Sequence, residues 1–456
     1  MEIKKFHLTN IGRFAEIEVL LAPTQLRMSN VTVFVGNNGA GKTLLLKSLA
    51  TSLSWLVARL RTEKGSGNAI PEEVIRNGSV SAAIDIEVVD PQGRAANPDA
   101  DAADSVFDWS IAKTRKGRKS EKTSVLADAS RLADFYRSGL SHNDKTSVPL
   151  IAFYPVERVV LDIPLKIKDK HTFLQLDGYD NSLNQGVDFL RFFEWFRERE
   201  DTENESGISQ DVFEKMAEMF DDQHEIWHKL SALKSSSRDR QLTAVRTAIS
   251  SFMPGFSNLR VRRKPRLHMS IDKNGETLNV AQLSQGEKSL MALVGDIARR
   301  LAMMNPSLEN PLHGDGIVLI DEVDLHLHPK WQRTLISRLT STFPRCQFVL
   351  TTHSPLVISD NKDVLCYLLD DGELTTAKDL YGADANSVLL DVMDTGIRNA
   401  EIDRKLRDLL DAIQDVKLDL ANSLISELAG ELPESHTELA KARLLLRKQE
   451  LRYAKD

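Results

Sequence analysis

A glycine-rich octapeptide near the N-terminus constrains the fold of this chain more than any other feature. Residues 36–43 read GNNGAGKT and fit the pattern G-x-x-x-x-G-K-[ST]. They follow the apolar run VTVFV and precede TLLLKSLATSLSWLVARL, in which apolar residues recur at helical spacing. A strand, a glycine-rich turn and a helix in this order curl backbone N–H groups around a phosphate. We therefore predict an α/β fold with a phosphate-binding loop formed by Gly36, Asn37, Asn38, Gly39, Ala40, Gly41, Lys42 and Thr43.

Two residues of this loop have individual chemical roles. Lys42 would reach the β- and γ-phosphates of a nucleotide, and the Thr43 hydroxyl would coordinate Mg²⁺. The alternative is a glycine-rich turn without catalytic consequence. Because the whole pattern matches and is flanked by the required strand and helix, the phosphate-binding interpretation is favoured.

A second apolar run, GIVLI at residues 316–320, ends in the adjacent carboxylates Asp321 and Glu322. In a parallel sheet both would lie at the carboxyl end of a central strand. There Asp321 would hold Mg²⁺ through water, and Glu322 would act as a general base toward the attacking water. An acidic pair after a strand is ordinarily a solvated loop, but the phosphate-binding loop upstream favours the catalytic interpretation.

The segment LSQGEK at residues 283–288 begins the helical run SLMALVGDIARRLAMM. Ser284 and Gly286 at the start of this helix would leave backbone N–H groups free for an anion, and the serine hydroxyl would add a donor. The spacing from Ser284 to Glu287 also fits a capping box, which needs no ligand. The position of the segment just upstream of the Asp321 strand favours anion binding.

The composition excludes several classes of protein. With 456 residues, 41% hydrophobic and 27% charged, the chain is expected to be a soluble globular protein of more than one domain. It contains no window of about eighteen uncharged apolar residues, and its N-terminus lacks the apolar core of a signal peptide. Cys346 and Cys366 lie in strand-like runs, so a reducing cytoplasm is expected. The net charge of -7 argues against a uniformly basic nucleic-acid coat.

Periodicity predicts further elements along the chain. Strands are predicted at residues 3–10, 14–21, 79–89, 106–113 and 150–156, and helices within 187–250. β character returns at 259–272, and a β–α–β–α–β alternation extends to the strand QFVLTT. The last sixty or so residues are predicted to be helical. One helical face there is expected to contain Leu406, Leu409, Leu410, Ile413, Val416 and Leu420.

The motifs together resemble those of the ABC-type ATPases, the group that includes SMC, Rad50 and RecF. LSQGE is similar to their signature motif, with Gln285 where many members have glycine. DEVDLHLHP at residues 321–329 is similar to their Walker B motif and D-loop, and TTHSP at 351–355 to their switch-histidine loop. The resemblance implies ATP and Mg²⁺ as cofactors. It also implies a D-loop role for Asp324 and a catalytic position for His353 beside the γ-phosphate.

This resemblance implies an ABC-type head, with a parallel sheet, an antiparallel β flank and an inserted helical lobe. We expect the N-terminal half of the ATPase lobe at residues 1–160 and the helical insertion at 161–255. The C-terminal half of the head, with the signature, Walker B and switch histidine, is expected at 256–395. A helical tail at 396–456 would contact another protein.

The resemblance also implies that ATP binds between two heads. The phosphate-binding loop of one chain is therefore expected to face the signature residues and D-loop of a second copy. These residues are Ser284, Gln285, Gly286, Glu287 and Asp324. Bound ATP would stabilise such a homodimer, and hydrolysis would release it.

Several segments resemble one branch of these ATPases more specifically. DEVDLHLHP and TTHSP resemble the overcoming-lysogenization-defect-like branch, and FFEWFREREDTEN and YGADANSVLLDVM resemble the PtuA ATPases of the Septu anti-phage systems. That resemblance implies an HNH endonuclease, PtuB, as a partner, with nucleotide state regulating it. Nothing after His353 resembles the Toprim nuclease of larger relatives, so the cutting activity is expected in another chain. No membrane partner is expected.

Two other functions stay open. One is a DNA-repair ATPase of the RecF or SMC kind that clamps DNA; the other is a transporter subunit, which the inserted helical lobe disfavours. Arg158 could take the place of the glutamine that links the lobes in transporters, although an exposed loop arginine is the default. Two basic clusters could neutralise DNA phosphates, although solvated charge runs are the default. They comprise Lys113, Arg115, Lys116, Arg118, Lys119 and Lys122, and Arg260, Arg262, Arg263, Lys264 and Arg266.

Overall fold

The computed structural model describes residues 1–91, 105–119, 122–156, 173–184, 187–206, 238–377, 380–391, 399–433 and 436–453. The chain forms two compact units, Met1–Ala383 and Asp384–Asp456. The predictions for Arg158 and for the helix at 211–220 lie outside the described residues.

The first unit contains both strands and helices. The strands are β1 (Glu2–Ile11), β2 (Phe14–Leu20), β3 (Val31–Val35), β4 (Ser81–Val89), β5 (Val106–Thr114), β6 (Leu150–Tyr154), β7 (Phe256–Arg262), β8 (His268–Lys273), β9 (Glu276–Asn279), β10 (Gly316–Ile320), β11 (Cys346–Thr352), β12 (Leu365–Asp370) and β13 (Glu373–Thr376). The helices of this unit are α1 (Lys42–Arg61), α2 (Ala127–His142), α3 (Phe189–Ser206), α4 (Arg240–Phe252), α5 (Gln285–Met304), α6 (Pro329–Thr342) and α7 (Pro355–Ser359). Short 3₁₀ helices lie at Glu72–Val74, Gln175–Tyr179, Val280–Gln282 and Pro311–His313.

A six-stranded sheet in the order β13-β12-β3-β11-β10-β6 forms the centre of this unit. The strands β12, β3, β11, β10 and β6 are parallel, and β13 pairs with β12 in the antiparallel sense. Every residue of β3, β6, β10 and β11 is buried, as expected for a parallel sheet covered on both faces. Because β3, β11 and β10 are neighbours, the segments that follow their carboxyl ends meet at one edge.

An antiparallel sheet in the order β2-β1-β4-β5 forms the flank. The Gln347 side chain on β11 ties this flank to the central sheet. Its carbonyl oxygen accepts from the Ile3 N–H at 2.8 Å, and its amide donates to the carbonyls of Ile3 and Ala22 at 2.8 and 2.7 Å. The predicted α/β class, with a parallel sheet and an antiparallel flank, is confirmed.

Helix α5, which the signature segment begins, is buried along most of its length. It packs against α3, α4, β6 and the 3₁₀ helix Gln175–Tyr179. A three-stranded sheet in the order β7-β8-β9 lies next to it in sequence, and a turn at Asn274 and Gly275 joins β8 to β9. Within the helical region predicted at 187–250, the structure describes α3 and α4.

Helix α5 carries a fully buried charge cluster, the Asp296 cluster, composed of Asp296, Arg299, Arg300 and Tyr154. The Asp296 carboxylate accepts from Arg299 at 2.6 Å, from Arg300 at 2.7 Å and from the Tyr154 hydroxyl at 3.0 Å. Burial would raise the pKa of Asp296, but the two guanidiniums lower it. Since Tyr154 is the last residue of β6, the cluster joins the signature helix to the central sheet.

The second unit is helical, with α8 (Ala385–Asp391), α9 (Ala400–Gln414), α10 (Leu418–Glu431) and α11 (Thr437–Tyr453). The prediction of one continuous apolar face here is wrong. Leu406, Leu409 and Ile413 lie in the core of this unit, but Leu410, Val416 and Leu420 are exposed. Val416 adopts a left-handed conformation with φ of 59°, so the chain turns after α9 and the helical phase is lost.

Helix α2 was not predicted from the sequence. Its buried residues Ala129, Leu132, Ala133 and Tyr136 do have helical spacing, but two of them are alanines and give little apolar contrast. The other predicted strands of the N-terminal part agree with β1, β2, β4, β5 and β6, and both cysteines are buried in strands. Within the described ranges, none of the helices is both long and apolar enough to span a bilayer.

Candidate nucleotide-binding and hydrolysis site

The predicted strand–loop–helix is present, with the loop between β3 and α1. A Cβ atom at Gly36 would lie 2.1 Å from the carbonyl oxygen of Leu369, and one at Gly41 would lie 2.6 Å from Cζ of Phe14. Gly41 also has a φ of 112°. These positions therefore require glycine for close packing and, at Gly41, for a left-handed backbone. Asn37, Asn38 and Gly39 are exposed at the tip of the loop.

Lys42 is a buried cation at the start of α1, with 6% of its surface exposed. Its Nζ donates to the carbonyl oxygens of Gly36 and Asn37 at 2.7 and 3.0 Å. Burial lowers the pKa of Lys42, while the carboxylates of Asp321, Glu322 and Asp324 act in the opposite direction. The loop thus holds a poorly solvated positive charge opposite the acidic strand end, where a phosphate would neutralise it.

The structure brings Thr43 and Asp321 together, although 278 residues separate them in sequence. The Thr43 hydroxyl donates to Oδ2 of Asp321 at 2.7 Å. Asp321 is fully buried at the end of β10, and its N–H donates to the carbonyl oxygen of Tyr154 at 2.9 Å. A hydroxyl and a carboxylate are hard oxygen donors, and Mg²⁺ binds such pairs while keeping waters and substrate phosphates as its other ligands. The predicted pair fits that ion.

Thr351, which the sequence did not single out as a site residue, lies between the two acidic residues. Its hydroxyl donates to Oδ1 of Asp321 at 2.6 Å and accepts from the N–H of Glu322 at 2.7 Å. Glu322 has a φ of 45°, which is uncommon for a residue with a side chain. The sequence signal was weak, because threonine near the end of a buried strand is common and has no spacing that marks it.

Two hydroxyls of the switch-histidine segment bond to the D-loop and to helix α6. The Thr352 hydroxyl donates to Oδ1 of Asp324, and the Ser354 hydroxyl donates to Oε1 of Gln332 at 2.8 Å. His353 is half-buried; burial and then Lys42 lower its pKa, whereas the nearby carboxylates raise it. His353 therefore lies within electrostatic reach of the phosphate-binding loop, on the edge where it was expected.

The signature segment forms the capping box that was the alternative interpretation. The Ser284 hydroxyl accepts from the Glu287 N–H at 3.4 Å, and the Glu287 carboxylate accepts from the Ser284 N–H at 3.0 Å. Burial would raise the pKa of Glu287, but bonds from Lys273 and Ser284 outweigh it, so the pKa is lowered. Ser284 itself is exposed at the start of the helix.

Gly286 packs against the D-loop of its own chain. A Cβ atom at this position would lie 2.3 Å from the carbonyl oxygen of His326. His326 is exposed and has a φ of 61°. The start of α5 and the D-loop therefore form one continuous surface, which we call the signature–D-loop surface and define by Ser284, Gly286, Asp324 and His326.

The two basic clusters differ in their surroundings. Arg115 donates to the carbonyl oxygens of Ser79 and Ile75 at 3.0 and 2.8 Å, so it holds a loop together. Arg260 and Arg262 alternate along β7 and are half-buried, while Arg263 pairs with Asp201. The more exposed members are Lys116, Arg118, Lys119, Lys122, Lys264 and Arg266.

The fold and this arrangement of loop, strand ends and signature define an ABC-type P-loop ATPase. Residues 31–359 match the AAA_21 family, described as AAA domain, putative AbiEii toxin, Type IV TA system. The chain is 34% identical over 439 residues to the Retron Ec83 probable ATPase of Escherichia coli, covering 88% of this chain and 78% of that one. It belongs to this family and is an ATPase, as predicted.

Two further relatives match over shorter stretches. The Retron Vc95 probable ATPase of Vibrio cholerae is 36% identical over 352 residues, which are 72% of this chain and 67% of the relative. The Septu protein PtuA of Bacillus mycoides is 46% identical over 74 residues, which are 16% of this chain and 10% of the relative. The resemblance to the Septu ATPases is therefore confirmed.

Proposed function

We propose that this ATPase binds Mg²⁺-ATP between two heads and that the resulting dimer regulates an HNH endonuclease, PtuB, in bacterial anti-phage defence. The observation that carries the dimer is the signature–D-loop surface. Ser284 lies exposed at the N-terminus of α5, where the helix dipole favours an anion, and its described contacts are with Glu287 rather than with the phosphate-binding loop. An anion on this surface would belong to a nucleotide held by a second copy.

The residues of one head divide the chemistry among them. Lys42 and the loop N–H groups would bind the β- and γ-phosphates, and Thr43 and Asp321 would hold Mg²⁺, which neutralises the charge that develops on the phosphates. Glu322 would accept a proton from the attacking water as general base, with His353 beside the γ-phosphate. Ser284 and Asp324 of the second head would complete the site.

The nuclease partner is proposed from the relatives rather than from the geometry. The Septu name of the PtuA relatives and the anti-phage context it implies support an HNH endonuclease as the regulated chain. DNA clamping by the ATPase alone is the second candidate, because Arg260 and Arg262 share one side of β7 and could neutralise phosphates.

Co-purification with an HNH endonuclease of the PtuB kind tests the proposed partner. We expect a stable complex whose DNA cleavage responds in opposite directions to Glu322→Gln, which should trap ATP, and Lys42→Ala, which should bind ATP weakly. Equal cleavage by both variants and the wild type would contradict nucleotide regulation. Tight DNA binding that falls steeply with salt, together with no complex, would support the clamp instead.

A further inference from the structure

We propose that Thr351 is a positioning residue for ATP hydrolysis, orienting the Asp321 carboxylate and the Glu322 backbone with one hydroxyl group. The inference rests on the roles proposed above for Asp321 and Glu322 and adds a residue that those roles do not include. Thr351 touches neither nucleotide nor water in this account, and its effect is exerted through its two acidic neighbours.

The hydrogen-bond geometry assigns the direction of both bonds. The single hydroxyl proton of Thr351 is donated to Oδ1 of Asp321 at 2.6 Å, so its oxygen accepts the Glu322 N–H at 2.7 Å through a lone pair. The Thr43 hydroxyl donates to the other carboxylate oxygen, Oδ2, at 2.7 Å. Asp321 is therefore fixed from both sides by hydroxyls on two different elements, the β11 strand and the α1 helix.

Burial makes this arrangement specific to threonine or serine. Thr351 and Asp321 are both 0% exposed, so water is not available to replace a missing donor. The backbone of Thr351 adds to the alignment, because its carbonyl oxygen accepts from the Val323 N–H at 2.9 Å. The strand end of β11 thus contacts three consecutive residues of the Walker B segment, and the hydroxyl contacts the two that carry the chemistry.

Thr352, the next residue, makes a similar pair of bonds, and one of them is to Asp324, the D-loop residue proposed to act on a second head. The Thr352 hydroxyl donates to Asp324 and also accepts from the Ser354 N–H at 3.0 Å. The two adjacent threonines therefore have different partners: Thr351 orients the Walker B residues, and Thr352 orients the D-loop residue. Thr352 is consequently a useful comparison and not a neutral control.

The test compares variants that keep or remove the Thr351 hydroxyl. Thr351→Val preserves the shape of the side chain, Thr351→Ser preserves the hydroxyl, and Thr351→Ala serves if the valine variant does not fold. Thr32→Val is the matched control, because Thr32 is a fully buried threonine on neighbouring β3 whose hydroxyl accepts from the Ala22 N–H at 2.9 Å, away from the acidic pair.

The primary measurement is ATP affinity by calorimetry with Mg²⁺ and with EDTA, which does not depend on turnover. Thr351→Val should keep the affinity measured in EDTA and lose about 10- to 100-fold of the gain that Mg²⁺ provides, the range typical of residues that orient metal ligands. The turnover number should fall, and KM for Mg²⁺-ATP should rise with the loss of affinity. Thr351→Ser should restore both, and Thr32→Val should change neither.

Two outcomes would overturn the proposal. One is a Thr351→Val protein with the wild-type gain from Mg²⁺; the other is an equal loss in Thr32→Val, which would mean that any buried hydroxyl in this sheet matters. Asp321→Asn separates this result from a failure of the proposed function. If Asp321→Asn keeps the gain from Mg²⁺, the role of Asp321 is wrong; if only Thr351→Val keeps it, the role of Thr351 is wrong.

Discussion

Lys42 is a buried cation that donates to two carbonyls of its own loop, a position in which phosphate oxygens would be better acceptors. Lys42→Ala should therefore weaken ATP binding about 10- to 100-fold, because a charge-assisted bond in a buried site is lost. Calorimetric titration measures this directly, with Lys47→Ala, further along the same helix, as the control. An unchanged dissociation constant for ATP would contradict the P-loop assignment.

Glu322 lies next to the proposed metal ligand, and its backbone N–H donates to the Thr351 hydroxyl. Glu322→Gln should bind ATP like the wild type and hydrolyse it about 10²- to 10⁴-fold more slowly, because a carboxamide cannot accept the proton of the attacking water. Phosphate release in a preparation free of contaminating ATPase checks the rate. Wild-type turnover in this variant would exclude Glu322 as the general base.

His353 should make the stability of the nucleotide-free chain depend on pH. Burial and Lys42 lower the pKa of His353 below 6.5. The nearby carboxylates of Glu322, Asp324 and Asp321 oppose this shift but do not cancel it. In the interval between the folded pKa and 6.5 the folded chain binds fewer protons than the unfolded chain, so stability falls as the pH decreases through that interval. As the pH is lowered from about 7.5 to about 5.5, the melting temperature of the wild type should fall more than that of His353→Gln. If the melting temperatures of the two proteins change equally with pH, this environment for His353 is contradicted.

The positions of most site residues could be predicted from the sequence, whereas the hydrogen bonds between them could not. The pattern around Lys42 and the carboxylates after β10 are marked by spacing that few other functions produce. Thr351 has no such mark, because its importance comes from the register of β11 beside β10, which pairs Ile320 with Leu350. Only the folded sheet shows that its hydroxyl lies between Asp321 and Glu322.

Among the elements, helix α5 depends on a buried carboxylate. Asp296→Asn leaves two fully buried guanidiniums without a counter-charge, so we expect a loss of about 3–5 kcal/mol in the free energy of unfolding. Asp360→Asn removes one partner of an exposed ion pair with Arg333 and should cost about 0–1 kcal/mol. Denaturant titration of both variants checks the difference, and equal losses would contradict a structural role for the Asp296 cluster.

The contact between α5 and the D-loop makes Gly286 a poor site for testing the signature. Any side chain there must displace the His326 carbonyl, so Gly286→Ala should lower the melting temperature and impair hydrolysis together. Lys288→Ala, two residues further along the same helix, should change neither. A Gly286→Ala protein with wild-type stability and activity would show that the D-loop yields without cost.

The elements of the first unit were largely predictable, and the second unit shows where such prediction fails. Buried parallel strands give continuous apolar runs, and α1 and α5 give strong helical periodicity. In the second unit the leucines of α9 and α10 continue one periodic pattern across a turn that Val416 makes with a positive φ. Nothing in the spacing of the leucines indicates that turn, so Val416 and Leu420 were placed in a core although both are exposed.

In the proposed assembly of the whole molecule, ATP joins two heads through the signature–D-loop surface. Ser284→Arg tests it without the clash at Gly286, because Ser284 is exposed and a long side chain there points away from its own core. The cost within one chain is limited to a helix cap, about 1 kcal/mol. ATP binding by an isolated head should be unchanged.

The most direct measurement is the mass by light scattering of Glu322→Gln with and without Mg²⁺-ATP, alone and combined with Ser284→Arg. We expect Mg²⁺-ATP to double the mass of Glu322→Gln relative to the nucleotide-free protein, whose chain mass is 51.1 kDa. Ser284→Arg should abolish this doubling while ATP still binds. A mass that ATP does not change, or a doubling that survives Ser284→Arg, would contradict the head-to-head site.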